Sequence, residues 1–373
     1  MYLAVLTSRR VPKSDAPLEE CEDATSPAAE HCGEVTLGTG DLSVAVADGA
    51  TTYSYSKEWA EIICRQQEQR PMRDVADLLD RLPAWQMEWQ QAIEPRLTDL
   101  PWFAAAKAEQ GAFSTLLQVA VRVDPGENRE GTWNALALGD SCLVQLRNNK
   151  PLLRGEPNPL PFPLNDSKAF LERPFLLPTR PELIPRIRDH ILETQGAWKA
   201  GDEFLLMTDA LAAWFIGALE GGESPMEQLR AFLNPVGEIV DIPELPSLHE
   251  VVAPEGEAQE NPEVVDSQRQ MTKRQNGAID KIKALFHFYR GEHPVIQITV
   301  LKPVQTIQED EIALVEVVTE EAEEHEITET ALPLSINERF ALWVEFQKSL
   351  GALKDDDISF VHVRLRLKKE EHA

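Results

Sequence analysis

Hydrophobic and polar residues follow two periods along the first 235 residues of the chain. Short runs in which apolar residues alternate or cluster, bounded by Gly, Asp or turn residues, predict β-strands. These runs are residues 2–7, 34–38, 42–47, 114–123, 132–139, 142–147 and 203–208. Apolar residues at helical spacing predict helices, with Pro71 separating the first two. These helices cover residues 55–67, 73–93 and 182–194.

The order of these elements indicates an α+β fold. Several predicted strands follow one another through short turns, which favours antiparallel pairing over a parallel sheet with helical crossovers. The helices lie between the groups of strands, and their apolar positions include Trp85, Trp89 and Trp102, which we expect in the core. The chain closes with a predicted helix over 337–350 and a last strand over 358–367.

Between these parts the composition changes. Residues 236–335 are rich in proline and acidic side chains, with one basic amphipathic helix predicted over 279–289 and one strand over 295–301. We interpret 236–335 as an acidic, partly linker-like insertion. Residues 1–235 then form the first part of one domain, 236–335 form the insertion, and 336–373 supply the last helix and strand of that domain. The acidic run over 309–329 is most simply a solvated segment, and its functional interpretation is a tether for a basic partner.

Composition and charge limit the classes of function. The chain has 373 residues, 43% of them apolar, and 36 basic against 63 acidic residues give a net charge of −27. The apolar content supports a packed core, and the negative charge disfavours nucleic acid and anionic membranes as partners. The four cysteines form no C-x-x-C pair. No signal peptide is evident, and the longest apolar stretch, 210–219, is too short to span a membrane. We expect a cytoplasmic protein.

Aspartates follow three of the predicted strands. They are Asp48, Asp140 and Asp209, and Asp355–Asp357 directly precede the last strand. If the last strand is antiparallel to the others, its start and their ends share one edge, so these carboxylates converge. Clustered carboxylates need cations, and hard oxygen ligands suit Mg²⁺ or Mn²⁺. The alternative is that each Asp only terminates a strand and caps a turn, which is its common structural role.

Several motifs occur together in one order along the chain. They are CEDA (21–24), VAVADGA (44–50), GAFST (111–115), ALGDSCLVQLR (137–147), DEFLLMTDAL (202–211) and DDDISFVHVRL (355–365). This order resembles the protein phosphatase 2C family of metal-dependent phosphatases, in particular its bacterial branch. The resemblance covers about residues 1–235 and 336–368. It implies an αββα four-layer sandwich of two mostly antiparallel sheets flanked by helices.

The resemblance also implies a site and a reaction. Two Mn²⁺ or Mg²⁺ ions would lie at one end of the sandwich, with Asp48 bridging both and the Gly49 carbonyl binding one. Asp209 and Asp356 would hold one ion, and Asp140 would support the site. Glu22 and Asp23 would position metal-bound water. Water activated in this way would hydrolyse phosphoserine or phosphothreonine in a phosphoprotein, the substrate of a partner Ser/Thr kinase.

The chain departs from the family pattern at substrate-binding positions. Leu18 stands where the family has a phosphate-binding arginine, and the candidates to replace it are Arg10 and Arg9. Ala50, Thr51 and Ala210 also replace residues typical of the family. These changes leave two further hypotheses open. One is a catalytically impaired pseudophosphatase that binds phosphoproteins, and the other is a scaffold in which the insertion dominates.

Overall fold

A computed structural model describes residues 2–28, 31–37, 42–97, 101–123, 130–233 and 335–367. All described residues except Ser335 belong to one compact unit. The predicted insertion, with its amphipathic helix and strand, therefore lies outside the described residues apart from Ser335. Its domain boundaries stay a prediction.

The strands that the alternating pattern predicts in the described residues all form, and the structure adds strands at 24–26, 150–151, 177–178 and 192–199 that the pattern does not predict. Within the described residues the strands are β1 (Tyr2–Val11), β2 (Ala24–Ser26), β3 (Gly33–Leu37), β4 (Leu42–Ala47), β5 (Phe113–Ser114), β6 (Leu116–Val123), β7 (Glu130–Leu138), β8 (Cys142–Arg147), β9 (Lys150–Pro151), β10 (Leu177–Pro178), β11 (Leu192–Lys199), β12 (Glu203–Met207) and β13 (Ile358–Leu367).

The α-helices of the described residues are α1 (Ser56–Gln69), α2 (Val75–Leu97), α3 (Trp102–Ala108), α4 (Ile184–Ile187), α5 (Asp209–Glu220), α6 (Pro225–Leu229) and α7 (Ile336–Ser349). Short 3₁₀ turns cover Leu18–Glu20, Ser167–Leu171, Pro181–Leu183, Arg188–His190 and Arg230–Phe232. None of the helices in these ranges combines the length and the apolar character that crossing a bilayer requires.

The larger strands assemble into two antiparallel sheets. The first sheet has six strands in the order β3-β1-β13-β12-β8-β9, and the second has five in the order β11-β7-β6-β4-β2. β13, from the far end of the chain, lies between β1 and β12 and pairs antiparallel with both. The two-stranded pair β5 and β10 extends the structure beside the second sheet.

The alternation within strands separates the core into three layers of apolar contacts. In β4, Val44 and Val46 point between the sheets, while Ala45 and Ala47 face the helices α1 and α2. On the other side, Met207 of β12 packs in the cluster that includes residues of α5 and α7. Both sheets therefore bury two faces, and the small alanines let α1 approach closely. The predicted αββα sandwich of two mostly antiparallel sheets is confirmed.

Two local predictions are wrong. The helix expected over 182–194 is short, because only Ile184–Ile187 are α-helical and Leu192–Lys199 form β11. Among the described strands, β11 lies at the edge of its sheet and pairs with β7 alone, so it needs little apolar periodicity. Trp102 is not in the core: it is 83% exposed, since it begins the seven-residue surface helix α3 directly after Pro101.

Candidate carboxylate site

The strand ends that carry aspartates lie at one edge of the sandwich. β12 ends at Met207, which is the register partner of Phe360 near the start of β13. Asp209, two residues after Met207, and Asp356, two residues before β13 begins, therefore lie at the same edge of the first sheet. Asp48 directly follows β4 of the second sheet.

The backbone around Asp48 is fixed by the strand that follows α3. The Asp48 amide donates to Thr115 Oγ1 at 2.9 Å, and the Asp48 carbonyl accepts from the Thr115 amide and from Ser114 Oγ, each at 2.8 Å. Thr115 Oγ1 also lies 2.8 Å from Ser141 Oγ, next to Asp140. The GAFST and GDS motifs therefore hold the turn on which Asp48 lies.

Gly49 is needed because another backbone approaches it. Its amide donates to the Glu22 carbonyl at 3.2 Å. A Cβ built on Gly49 would lie 2.7 Å from that carbonyl oxygen and 2.9 Å from the Ser56 carbonyl oxygen, distances that real Cβ atoms do not adopt. Glycine at this position thus brings the Glu22 segment beside Asp48.

Asp23 connects the two sheets. It precedes β2 of the second sheet, and its Oδ2 accepts a 3.0 Å hydrogen bond from Thr208 Oγ1, at the end of β12. Thr208 Oγ1 itself accepts from the Ser359 amide of β13 at 2.9 Å. The Asp23 side chain is fully buried, and its Oδ1 has no hydrogen-bond partner. A buried carboxylate oxygen without a partner is costly unless something binds it.

Asp357 positions two other segments of the site. Its Oδ1 accepts from the Lys13 amide at 2.8 Å and its Oδ2 from the Glu22 amide at 2.7 Å. The resemblance implies a ligand role for Asp356, whereas Asp357 is predicted only as one of the converging carboxylates. Three successive aspartates precede β13 in the sequence. One of them can therefore accept from backbone amides while another lies among the site carboxylates.

Lys354 pairs with two of the predicted ligands. Its Nζ lies 2.6 Å from Asp356 Oδ2 and 3.2 Å from Asp209 Oδ2. Asp209 Oδ1 accepts from the Ala210 amide at 2.6 Å, at the N-terminus of α5. Sequence analysis missed Lys354, although it is the basic residue immediately before the aspartate triplet. Its bridging position depends on Asp209, which is 145 residues away.

The carboxylates raise one another's pKa. Burial and the charges of Asp23, Asp209 and Asp140 raise the pKa of Asp48 well above its usual range. Burial, then Asp357 and Asp209, do the same for Asp23. The pKa of Asp140, which is 8% exposed, rises to about 7 through burial and the charge of Asp209. Burial and Asp356 raise the pKa of Asp209, against the opposing effect of Lys354. Such mutual shifts are typical of functional sites.

An open cleft of about 360 Å³ lies beside Glu22. Lys13, Thr51, Tyr53 and Lys107 are among its lining residues. Lys13 Nζ lies 4.0 Å from Glu22 Oε2, which is buried and accepts no hydrogen bond. Burial raises the pKa of Glu22, although Thr51 and Lys13 act in the opposite direction. The cleft thus places ammonium groups next to one end of the carboxylate set.

The two arginine candidates differ in their surroundings. Arg10 Nη1 donates to the Asp23 carbonyl at 3.1 Å, which brings its guanidinium next to the site. Arg9 is buried, and its Nη1 donates to the Ser8 carbonyl. Of the pair, Arg10 is therefore the one that borders the carboxylates.

The donor set fits a hard divalent cation, but the side chains are not arranged as a finished ligand cage. All the candidate donors are oxygens, and among the described residues the buried Asp23 Oδ1 and Glu22 Oε2 accept no hydrogen bond. Among the residues that the structure describes, however, no three His, Cys, Asp or Glu side chains form a group able to hold a metal ion. Lys354 already contacts Asp209 and Asp356.

Comparison with solved structures finds phosphatases. The phosphatase domain of the cell fate determinant SpoIIE from Bacillus subtilis is 11% identical, with a TM-score of 0.34 over 100% of this chain and 96% of that one. The catalytic domain of the serine/threonine phosphatase PstP in complex with two manganese ions is 11% identical, with a TM-score of 0.40 over 98% and 100%. The PstP/Ppp phosphatase of Mycobacterium tuberculosis is 16% identical, with a TM-score of 0.35 over 61% and 90%.

Comparisons with protein-family models and with curated proteins found no match. The three solved structures named above are phosphatases. Because their identity and TM-scores are low, the proposals below rest on this chain's own residues.

Proposed function

We propose that this protein is a divalent-metal-dependent phosphatase of the protein phosphatase 2C family that hydrolyses phosphoserine or phosphothreonine in proteins. The observation that carries this proposal is the set of carboxylates from both sheets at one edge, which raise one another's pKa. Two carboxylate oxygens there, Asp23 Oδ1 and Glu22 Oε2, are buried and accept no hydrogen bond from the described residues. A fold keeps such a destabilising arrangement where it binds cations.

The site residues take the roles that the resemblance implies. Asp48, Asp209 and Asp356 would hold two Mn²⁺ or Mg²⁺ ions with the Gly49 carbonyl, and Glu22 and Asp23 would orient water. When bound, the ions would supply the positive charge that acidifies a water molecule and offsets the charge of the phosphoryl oxygens.

Other residues of the chain hold these carboxylates in place or line the path to them. Thr208 orients the Asp23 carboxylate, and Asp357 holds the backbones of Lys13 and Glu22. Arg10, next to Asp23, is proposed to bind the substrate phosphate, and Lys13 borders the cleft through which the phosphoryl group would enter.

The test is hydrolysis of a generic aryl phosphate and of a phosphothreonine peptide. We expect turnover only with added Mn²⁺ or Mg²⁺, and loss of turnover in chelator. Asp48→Asn and Asp209→Asn should each lower the rate by roughly a thousandfold or more, because each removes a charge that holds the cations. Full activity in chelator would contradict the proposal.

Lys354 favours a second candidate function, that of a pseudophosphatase. An ammonium between Asp209 and Asp356 neutralises these carboxylates without a metal ion. A phosphatase fold of this kind would bind a phosphoprotein without turnover. Phosphopeptide binding without hydrolysis at saturating Mn²⁺ would favour this alternative over the first.

The finer assignments stay predictions from the sequence. They are the partner Ser/Thr kinase, the cytoplasmic location, the choice between Mn²⁺ and Mg²⁺, and a basic partner for residues 236–335.

A further inference from the structure

Lys354 makes the contacts that a bound cation would make at one side of the site. Its Nζ contacts one oxygen of Asp356 at 2.6 Å and one oxygen of Asp209 at 3.2 Å. These two carboxylates come from different segments, before β13 and at the start of α5, and together they are the pair predicted to hold one ion. One side chain thus bridges both members of the pair.

The backbone at Lys354 is held on both sides, while most of its side chain is exposed. Leu353 is buried, and its amide and that of Ala352 donate to the Gln347 carbonyl at the end of α7. The Asp356 amide donates to the Lys354 carbonyl at 3.0 Å. The Lys354 side chain itself is 65% exposed. The ammonium is therefore tethered beside the carboxylates, with space to swing into solvent.

We propose that Lys354 is an internal counter-cation of the site, whose ammonium competes with a divalent ion for Asp209 and Asp356. An ion that binds both carboxylates must displace the ammonium, which then moves to solvent. The proposal rests on the proposed function only in taking Asp209 and Asp356 as ligands. It predicts that a divalent ion binds Asp209 and Asp356 more weakly in the wild type than in a variant that lacks the Lys354 ammonium.

Lys13 provides a matched comparison. It carries the same charge at the same edge, but its Nζ lies 4.0 Å from Glu22 and no ion pair joins it to Asp209 or Asp356 among the described residues. If Lys354 acted only by adding positive charge to the region, removal of Lys13 would have a similar effect. If it acts by occupying the pair, only removal of Lys354 will strengthen ion binding.

The experiment is calorimetric titration of Mn²⁺ into the chelator-treated and dialysed full chain. The variants are Lys354→Met, which keeps the length of the side chain, and Lys354→Arg, which keeps the charge. We expect Lys354→Met to tighten Mn²⁺ binding roughly tenfold. Lys354→Arg and Lys13→Met should stay near the wild-type affinity. Thermal unfolding in chelator provides a second readout, since Lys354→Met should lower the midpoint there and show a larger upward shift on adding Mn²⁺.

The outcomes separate this inference from the proposed function. Mn²⁺ binding by Lys354→Met but not by the wild type would support the inference and contradict the proposed activity. Equal affinities of wild type and Lys354→Met, with binding lost in Asp209→Asn, would overturn the inference and leave the proposed function standing. Equally tighter Mn²⁺ binding by Lys13→Met would also overturn it. If neither the wild type nor any variant binds Mn²⁺, there is no metal site and the inference fails as well.

Discussion

The carboxylates at the two ends of strand β12 have opposite electrostatic surroundings. At its start, the buried Glu203 carboxylate accepts from Arg230 Nη1 at 2.8 and 3.0 Å and from His362 Nε2 at 2.6 Å. Burial alone would raise the pKa of Glu203, but His362 and the arginines outweigh it and lower the pKa to about 2. Six residues further along the chain, just beyond the other end of β12, burial and the charge of Asp356 raise the pKa of Asp209.

The difference distinguishes a structural charge from a functional one. The guanidinium groups of Arg230 and Arg364 pair with Glu203, so its ionised form stabilises the fold. Asp48, Asp23 and Asp140 have raised pKa values, so their ionised forms destabilise it. A protein keeps the second arrangement when the charge is needed for binding.

The largest expected effect on stability is at the Glu203 end. Glu203→Gln leaves Arg230 and His362 without their buried anion and should lower the free energy of unfolding by about 3–5 kcal/mol. Asp209→Asn, at the other end, keeps a side-chain oxygen that can accept from the Ala210 amide and should change it by less than about 1 kcal/mol. Urea unfolding of both variants in chelator measures this contrast, and equal losses would contradict it.

The pH dependence of stability should also differ between the two ends. The pKa of Asp140 is about 7 in the folded chain against 3.8 for the free side chain, so the folded state holds a proton that the unfolded state has lost. Stability therefore falls as pH rises from about 4 to about 7, by on the order of 2–4 kcal/mol for this group. Asp140→Asn should flatten that decline in chelator.

Glu203 has the opposite sign. Its lowered pKa of about 2 means that its contribution is present above pH 4.5 and is lost as pH falls toward 2. Urea midpoints measured between pH 3 and pH 8 for wild type, Asp140→Asn and Glu203→Gln would separate the two. If stability falls equally with rising pH in the wild type and in Asp140→Asn, Asp140 is not the cause of the pH dependence.

A backbone change should disturb the carboxylate edge alone. Gly49→Ala places a methyl group against the Glu22 and Ser56 carbonyls, which must move apart. We expect a loss of about 1–3 kcal/mol in stability together with weaker Mn²⁺ binding, because Asp48 and Glu22 shift. Gly155→Ala, at a position with open space and without a positive φ, is the control for mutation of a glycine, and it should leave Mn²⁺ binding unchanged.

The smallest effect concerns substrate binding. Arg10→Met and Lys13→Met should each raise KM for a phosphothreonine peptide, by roughly tenfold for the residue that contacts the phosphate. Lys150→Met, on the exposed turn of β9, serves as the control for loss of one positive charge. If neither Arg10→Met nor Lys13→Met changes KM relative to this control, phosphate binds elsewhere.

The sequence was sufficient where periodicity and burial agree. β4, β12 and β13 alternate between two buried faces, so their apolar runs predicted them, and their terminal aspartates marked the site edge. The edge strand β11 was missed because one neighbour suffices to hold it and its outer positions are polar. Lys354 and Asp357 were missed because their roles depend on partners more than a hundred residues away, which no local pattern specifies.

Direct titration of Mn²⁺ into the chelator-treated protein tests the central claim, that carboxylates from both sheets meet at one edge to bind divalent cations. Wild-type protein should bind Mn²⁺ with measurable heat, and Asp48→Asn, which alters the shared ligand, should abolish or severely weaken binding while its unfolding midpoint in chelator is retained. Wild-type binding that is unchanged in Asp48→Asn, or no binding by wild type and Lys354→Met alike, would contradict the claim.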